Sequence, residues 1–132
     1  MEIFLVDDDD VFNCMNIAVI EWVMKEAEVK VFKSGMEVIA YLNREKQIGP
    51  AKGLMLLDIR MPDMDGFEML ANIEKMEKNP LPNTIIYMLS STLDERDLQR
   101  AKEKKMVKGF LSKPLTVEKF RELLWENALV EK

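Results

Sequence analysis

The run Leu54-Met55-Leu56-Leu57 most constrains this chain, because four consecutive apolar residues end abruptly in a carboxylate, Asp58. The run is too short for a helix, and Gly53 precedes it. A continuous apolar run without polar alternation is typical of a strand buried on both faces of a parallel sheet. Ligands bind such sheets at the carboxyl ends of the strands. Asp58 is therefore predicted to lie at the mouth of a site, where a cation or hydrogen-bond donors must offset its desolvation.

Four further apolar runs alternate with segments of helical periodicity. The predicted strands are 3–6, 29–32, 54–57, 84–89 and 106–111, and the predicted helices are about 11–26, 34–42, 67–78, 93–105 and 117–130. A polar connection with a Gly-Pro pair is predicted from Asn43 to Lys52. This alternation predicts right-handed crossovers between parallel strands. We therefore expect an α/β fold, a doubly wound five-stranded parallel sheet with five helices on its two faces, as one domain over residues 1–132.

Composition excludes several classes of function. The net charge of −5 argues against nucleic acid as a direct partner. No apolar segment approaches the roughly 18 residues that span a bilayer, and no secretory leader is expected. The single cysteine excludes an internal disulfide framework and suits a cytoplasmic protein. The absence of histidine excludes a histidine phosphodonor, a histidine-liganded metal and a Ser-His-Asp triad within this chain.

Polar side chains follow four of the predicted strands where each strand ends. Asp7 and Asp8 follow the first strand, Asp58 the third, Ser90 the fourth and Lys113 the fifth. Three carboxylates brought together would raise each other's pKa unless a cation intervened, and hard oxygen ligands suit Mg²⁺. A lysine and a hydroxyl suit phosphoryl oxygens. The set predicts a carboxylate nucleophile, a divalent metal and two phosphate-stabilising groups, which is the equipment for phosphoryl transfer to an aspartate.

Four short segments carry a resemblance to a known family. They are Leu5-Val6-Asp7-Asp8, the segment from Leu56 to Gly66, Met88-Leu89-Ser90-Ser91, and Phe110-Leu111-Ser112-Lys113-Pro114. Over essentially its whole length the chain resembles the receiver domain of two-component response regulators, in the stand-alone form of the chemotaxis regulators. The resemblance implies the flavodoxin-like receiver fold and a signalling domain whose only catalysis is its own phosphorylation and dephosphorylation.

The resemblance also assigns the acidic residues. It implies that Asp58 accepts a phosphoryl group from the phosphohistidine of a sensor histidine kinase or a histidine phosphotransfer protein. Asp8, Asp58 and the backbone carbonyl of Arg60 would ligate Mg²⁺, while Asp7 would act mainly through a bound water. Output would then pass through protein contacts or onward phosphotransfer.

The other strand ends receive roles from the same resemblance. Ser90 and Lys113 would contact the phosphoryl oxygens. Ser90 and Phe110 would form a switch in which the hydroxyl moves toward the phosphate and the aromatic ring turns inward. Phe110 replaces the more common tyrosine, so it offers no hydroxyl for hydrogen bonding. The Lys113-Pro114 peptide bond is expected to be cis, as it typically is in that family.

Two alternatives remain open from the residues themselves. A metal-dependent phosphatase of the haloacid dehalogenase type also places an Asp-x-Asp pair after its first strand, for which Asp7 and Asp9 would serve. Against it, no acidic pair follows Lys113 on another strand, and the chain is short for that fold. A receiver used only for docking, without phosphorylation, is the second alternative. Asp9 and Asp10 are interpreted as a turn and helix cap, with Asp10 as the cap of the first helix.

The first helix carries two apolar stripes on roughly opposite sides. These are Val11, Met15, Ala18 and Trp22 on one side, and Ile17, Ile20 and Met24 on the other. A helix beside a sheet cannot bury both. We interpret the first stripe as the core face and the second as a solvent-exposed surface that docks the phosphodonor. Cys14, on the same helix, is expected to be a small buried hydrophobe.

The fourth helix, the fifth strand and the last helix are predicted to form the output surface. The fourth has a thin apolar stripe, little beyond Leu98 and Ala101, and Asp97 is placed among its surface charges. With so little burial it should be among the least protected elements and the easiest to shift. The last helix should present Val117, Phe120, Leu124 and Ala128 to the core. Trp125 and Leu129 then fall outside that stripe.

Overall fold

The central strand of the sheet is the predicted apolar run, and all six of its residues are buried. The computed structural model describes residues 1–45, 52–91 and 94–130 of the protein. Strands and helices alternate along them: β1 (Glu2–Val6), α1 (Asp10–Val23), β2 (Glu28–Phe32), α2 (Gly35–Glu45), β3 (Gly53–Asp58), α3 (Gly66–Glu74), β4 (Thr84–Ser90), α4 (Glu95–Glu103), β5 (Val107–Ser112) and α5 (Val117–Glu126).

The five strands form one parallel sheet in the order β2-β1-β3-β4-β5. The prediction of a doubly wound five-stranded sheet is therefore confirmed. The chain moves in one direction from β1 to β2 and in the other from β3 to β5, so the order reverses between β1 and β3. A ligand crevice is expected outside the carboxyl ends of those two strands.

Side chains of successive strand residues point to opposite faces and build two cores. Phe4, Met55 and Leu57 lie in one core, which α2, α3 and α4 cover. Leu5 and Leu56 lie in the other, which α1 and α5 cover. Among the residues that the structure describes, no helix combines the length and hydropathy needed to cross a membrane.

Helix boundaries differ from the predicted ones by a few residues. Helix α2 continues to Glu45, so the connection begins later than Asn43, and residues 46–51 of it lie outside the described part of the chain. The cap of α1 is Asp9 rather than Asp10, since the Asp9 side chain accepts hydrogen bonds from the backbone amides of Val11 and Phe12. Helix α3 ends at Glu74, and the predicted start of α4 at residue 93 falls outside the described residues.

The predicted phase of α1 is wrong. Val11 and Trp22 are 68% and 69% exposed, whereas Ile20 is fully buried and Ile17 packs against the core. The remaining members of the two stripes follow the same division, with Met15 and Ala18 exposed and Met24 packed against the core.

The reason for the inverted phase is polar. Asn13 and Asn16 are both buried, and the Asn13 side-chain amide donates a hydrogen bond of 2.9 Å to the backbone carbonyl of Asp7. This contact turns the asparagine side of the helix, together with Ile20, toward the sheet. Cys14 is exposed for the same reason, so its predicted burial is also wrong.

The end of the chain reverses sharply after α5. Ala128 has a positive φ of 53°, and the Leu129 amide donates to the Leu124 carbonyl at 2.9 Å. Because the helix ends at Glu126, Ala128 does not continue its core stripe and is exposed, whereas Leu129 folds back onto the core. Both predictions for these two residues are wrong, while Trp125 is exposed as predicted.

Candidate functional site

The parallel register brings the predicted site residues to one edge of the sheet. Val6 of β1 pairs with Leu57 of β3, so Asp7 and Asp58 follow on adjacent strands. On the other side of β3, Asp58 pairs with Leu89 of β4, and Ser90 is the next residue. Ser90 pairs with Ser112 at the end of β5, and Lys113 comes immediately after it. Four strand ends thus deliver the predicted set to one place.

Three carboxylates lie together at this edge. One oxygen from each of Asp7, Asp8 and Asp58 lies within 4.8 Å of the other two. Asp7 and Asp58 are buried, whereas Asp8 is exposed and leaves the group open to solvent on its side. Acidic oxygens at this spacing, with access for water, fit a hard divalent cation. The donor set of the structure is therefore suited to the metal predicted from the sequence.

Lys113 bridges the buried carboxylates from the opposite side. Its Nζ lies 2.7 Å from Oδ2 of Asp7 and 3.1 Å from Oδ1 of Asp58, and its side chain is 5% exposed. The Lys113 amide donates to the Ser90 carbonyl at 2.8 Å, which ties the loop to the end of β4. The Lys113-Pro114 peptide bond is cis, as the resemblance implied.

The electrostatics of this edge differ for the acid and the base. Burial raises the pKa of Asp58 to about 6, with the charge of Asp7 adding to the increase and Lys113 opposing it. Burial by itself would lower the pKa of Lys113, but its hydrogen bond to Asp7 and the charges of Asp58 and Asp7 outweigh that effect and raise it. Lys113 therefore remains an ammonium ion. Asp58 becomes largely ionised only at a pH above the range in which an ordinary carboxyl group ionises.

The loop after β3 folds back against the site. The Gly66 amide donates to the Ile59 carbonyl at 2.9 Å, and the Ile59 amide donates to the Leu89 carbonyl at 3.2 Å. A Cβ at Gly66 would lie 2.7 Å from the backbone oxygen of Asp58, which explains glycine at this position. Arg60 lies inside this closed loop, two residues after Asp58.

Ser90 and Phe110 lie on β4 and β5, outside the group of three carboxylates. Ser90 is buried at the end of β4. Phe110 lies on β5 and packs, half-buried, against the core that α2, α3 and α4 cover. That core includes Ala101 of α4.

Two further residues of the site were missed from the sequence. The Phe12 ring lies 4.5 Å from Lys113 Nζ and covers it from α1. Asp97 of α4 is buried and accepts a 2.7 Å hydrogen bond from Arg60, although it was predicted to be a surface charge. Its spacing of four residues from Ala101, the buried apolar residue of α4, is the signal that could have placed it on the inner face.

The alternative based on Asp7 and Asp9 is not supported by the geometry. Asp9 is exposed, and its carboxylate caps α1 instead of joining Asp7 and Asp58. The Asp-x-Asp pair of a haloacid dehalogenase phosphatase is therefore not assembled at this edge. The third acid of the cluster is Asp8.

Comparison with known proteins gives one consistent result. The family model for the response regulator receiver domain matches residues 3–124. The chain is 27% identical to chemotaxis protein CheY of Listeria monocytogenes, over 97% of this chain and 98% of that protein. It is 29% identical to hybrid signal transduction histidine kinase L of Dictyostelium discoideum, over 93% of this chain but only 7% of that much longer protein.

A solved structure agrees with the sequence comparison. The crystal structure of a two-component response regulator from Cytophaga hutchinsonii superposes with a TM-score of 0.84 and 30% identity, covering 98% of this chain and 97% of that one. Receiver domains of this family are signalling domains of the two-component phosphorelay. With the acidic edge, the bridging lysine and the parallel sheet all in place, the chain belongs to the response regulator receiver domain family.

Proposed function

We propose that Asp58 is the phosphoacceptor of this receiver and that residues 1–132 act as one signalling unit. The observation that carries the proposal is the position of the Asp58 carboxylate between two further acids and the Lys113 ammonium. Asp58 attacks the phosphorus of a partner phosphohistidine, so that an oxygen–phosphorus bond forms as the nitrogen–phosphorus bond breaks. Water later releases the group from Asp58 as inorganic phosphate.

The side chains of the chain divide the work around the transferred group. Asp58 is the nucleophile, and its pKa of about 6 leaves it mostly ionised at neutral pH. Lys113 exchanges part of its contact with the carboxylates for the phosphoryl oxygens, which carry more charge. The Ser90 hydroxyl donates a hydrogen bond to the same oxygens. Phe110 moves with Ser90 and passes the change to the α4 side of the sheet.

We assign the metal of this site as Mg²⁺, with Asp8, Asp58 and the Arg60 backbone carbonyl as its ligands and Asp7 acting through a water. When bound, the ion supplies positive charge that offsets the charge of the acidic cluster and of the phosphoryl oxygens. The oxygen-only donor set and the open side at Asp8 support this choice over a metal that requires nitrogen or sulfur ligands.

The phosphodonor is a sensor histidine kinase or a histidine phosphotransfer protein, and it docks on the outer face of α1. This face is not the one expected from the sequence, because Ile17 and Ile20 belong to the core. The exposed apolar side chains are instead Val11, Met15 and Trp22. The helix starts directly after Asp7 and Asp8, so a partner helix laid along this face brings its histidine to the acidic edge.

The decisive experiment is the intact mass of the protein after incubation with acetyl phosphate and Mg²⁺. We expect one added phosphoryl group on the wild type and none in chelator. Asp58→Asn should be labelled to a much smaller extent than the wild type. Equal labelling of Asp58→Asn and wild type would refute the assignment of Asp58. Mg²⁺ binding without any labelling would instead favour a receiver that only docks.

A further inference from the structure

Helix α4 buries few side chains and makes several ion pairs with the rest of the molecule. Only two of its residues are buried, Asp97 and Ala101. Two charged side chains of α4 and that of its C-cap residue, Lys104, form ion pairs with the segment that runs from β3 through α3. The pairs are Asp97 with Arg60 at 2.7 Å, Arg100 with Asp65 at 3.9 Å, and Lys104 with Glu74 at 3.7 Å.

The pair between Asp97 and Arg60 differs from the other two. The Asp97 side chain is 4% exposed, whereas the acids of the other pairs are accessible to solvent, and its contact distance is the shortest. A buried carboxylate is costly unless it is paired with a hydrogen-bonding cation. Asp97 lies in the first turn of α4, where the helix dipole also favours its negative charge. Asp97 therefore constrains the position of Arg60 strongly.

Arg60 is held at both ends. Its guanidinium is fixed by Asp97, and its backbone lies in the loop that Gly66 closes onto Ile59 and that Ile59 anchors to β4. On the other side of Arg60 along the chain, Met61 is buried in the core. The side-chain contact thus restrains further a peptide unit that lies two residues after Asp58 in the chain.

We propose that Asp97 is a positioning residue of the metal site. Through Arg60 it holds the Arg60 backbone carbonyl in reach of a cation bound at Asp8 and Asp58. The inference rests on the proposed function, which makes that carbonyl a metal ligand. The coupling free energy between two sites is reciprocal. A cation bound at the acidic edge therefore stabilises the contact of α4 with Arg60 by the same free energy that this contact adds to cation binding. Asp97 and Arg60 thereby connect the site directly to α4.

The charge of Arg60 allows positioning to be separated from simple electrostatics. Arg60→Gln removes a cation near the metal, so electrostatics alone predict tighter Mg²⁺ binding, while Asp97→Asn should weaken it. Positioning predicts weaker binding in both variants. Loss of a contact that orients a metal ligand costs about tenfold or more in affinity, and we expect about a tenfold increase in the Kd for Mg²⁺ from each variant.

The Kd for Mg²⁺ is measured by isothermal titration calorimetry on the full 132-residue chain at fixed ionic strength. The double variant Arg60→Gln/Asp97→Asn should bind no more weakly than either single variant, because both remove the same contact. Lys104→Gln is the matched control, since it breaks the ion pair between the C-cap residue of α4 and α3 and leaves the pair between α4 and the loop intact. Its Kd should equal the wild-type value. Arg60→Lys should recover part of the affinity.

A second measurement reads the reciprocal effect on α4. Mg²⁺ should slow hydrogen exchange of the α4 amides in the wild type and in Lys104→Gln, but not in Asp97→Asn. The Arg60 side chain is 61% exposed, so Arg60→Gln should stay folded. The proposal can therefore be tested with this variant even if Asp97→Asn unfolds.

The outcomes separate this inference from the proposed function. Wild type that binds no Mg²⁺ would overturn both. The positioning role alone would be overturned by a different result. In that case the wild type binds Mg²⁺ and is labelled on Asp58, and Arg60→Gln binds Mg²⁺ as tightly as the wild type or more tightly. Weaker binding by Arg60→Gln and Asp97→Asn, with Lys104→Gln unchanged, would establish it.

Discussion

Helices α1 and α4 flank the acidic edge from opposite faces of the sheet, and they are attached to it in opposite ways. Helix α1 has more apolar residues than it can bury and is oriented by a polar contact, the Asn13 amide on the Asp7 carbonyl. Helix α4 buries little beyond Ala101 and is held by three ion pairs. Apolar burial is insensitive to a charge that appears at Asp58, whereas ion pairs respond to it. The difference suits α1 to docking and α4 to movement.

The largest effect should come from removing the apolar anchor of α1. Ile20 is fully buried against α5 and the sheet, so Ile20→Ala should lower the free energy of unfolding by about 2–5 kcal/mol. Trp22→Ala, on the exposed face of the same helix, should change it by about 0.5 kcal/mol or less. Urea unfolding of both variants measures the contrast. Equal losses would mean that α1 is not held by its Ile20 face.

The sequence predicted the strands and the acidic edge because those features depend on local pattern. Each apolar run ends where a polar residue must leave the core, so Asp58 could be placed without knowledge of its neighbours. The two faces of α1 could not be assigned in this way, since both are apolar and the choice depends on Asn13, a residue that reads as polar surface. Asp97 was missed for the same reason. Its burial depends on Arg60, which lies 37 residues away along the chain.

The second prediction concerns Asp58, whose carboxylate lies at the edge of the sheet that α1 and α4 flank. Its pKa is raised from 3.8 to about 6 in the folded state, so its ionisation opposes folding above about pH 6. As the pH falls below 6, Asp58 protonates in the folded protein and this cost decreases, and it is lost once the pH is below the ordinary pKa of 3.8 that applies to the unfolded chain. In chelator, Asp58→Asn should therefore be more stable than wild type at about pH 8, by on the order of 2 kcal/mol.

Denaturant unfolding at about pH 8 and about pH 4.5, in chelator, measures this difference. The difference should fall to about a third at the lower pH, because Asp58 is protonated there in the folded protein while its carboxyl is still largely ionised in the unfolded chain. If Asp58→Asn were less stable at both values, the attraction between Asp58 and Lys113 would outweigh the burial of the carboxylate.

The third prediction tests α1 as the docking helix. Met15→Glu places a charge on the exposed face, and it should slow phosphoryl transfer from a histidine phosphotransfer domain by about tenfold, which corresponds to about 1.4 kcal/mol. Labelling by acetyl phosphate should remain unchanged, because a small donor needs no docking surface. Met36→Glu is the matched control, since Met36 is also exposed but lies on α2, on the other face of the sheet.

The donor for this experiment is a phosphorylated histidine phosphotransfer domain, chosen from a panel because it labels the wild type. Slower transfer to Met15→Glu than to Met36→Glu would support docking on α1. Equal rates for the two variants would assign the docking surface elsewhere, and a loss with acetyl phosphate as well would show damage to the site itself.

The smallest effect, and the most direct test of the difference between α1 and α4, is the response to salt. Pairs between partly exposed charges are worth about 0.2–1 kcal/mol and are screened as ionic strength rises, the Debye length falling to about 3 Å at 1 M. The pairs of Arg100 and Lys104 are of this kind. Sodium chloride should therefore speed hydrogen exchange of the α4 amides by about two- to fivefold and leave α1 nearly unchanged. In Lys104→Gln, which has already lost one ion pair, salt should speed this exchange less than in the wild type. In Met15→Glu, salt should speed it as much as in the wild type. Equal responses of α1 and α4 would mean that the ion pairs do not hold α4. A response confined to α4 and reduced in Lys104→Gln would show that ion pairs hold this helix in place.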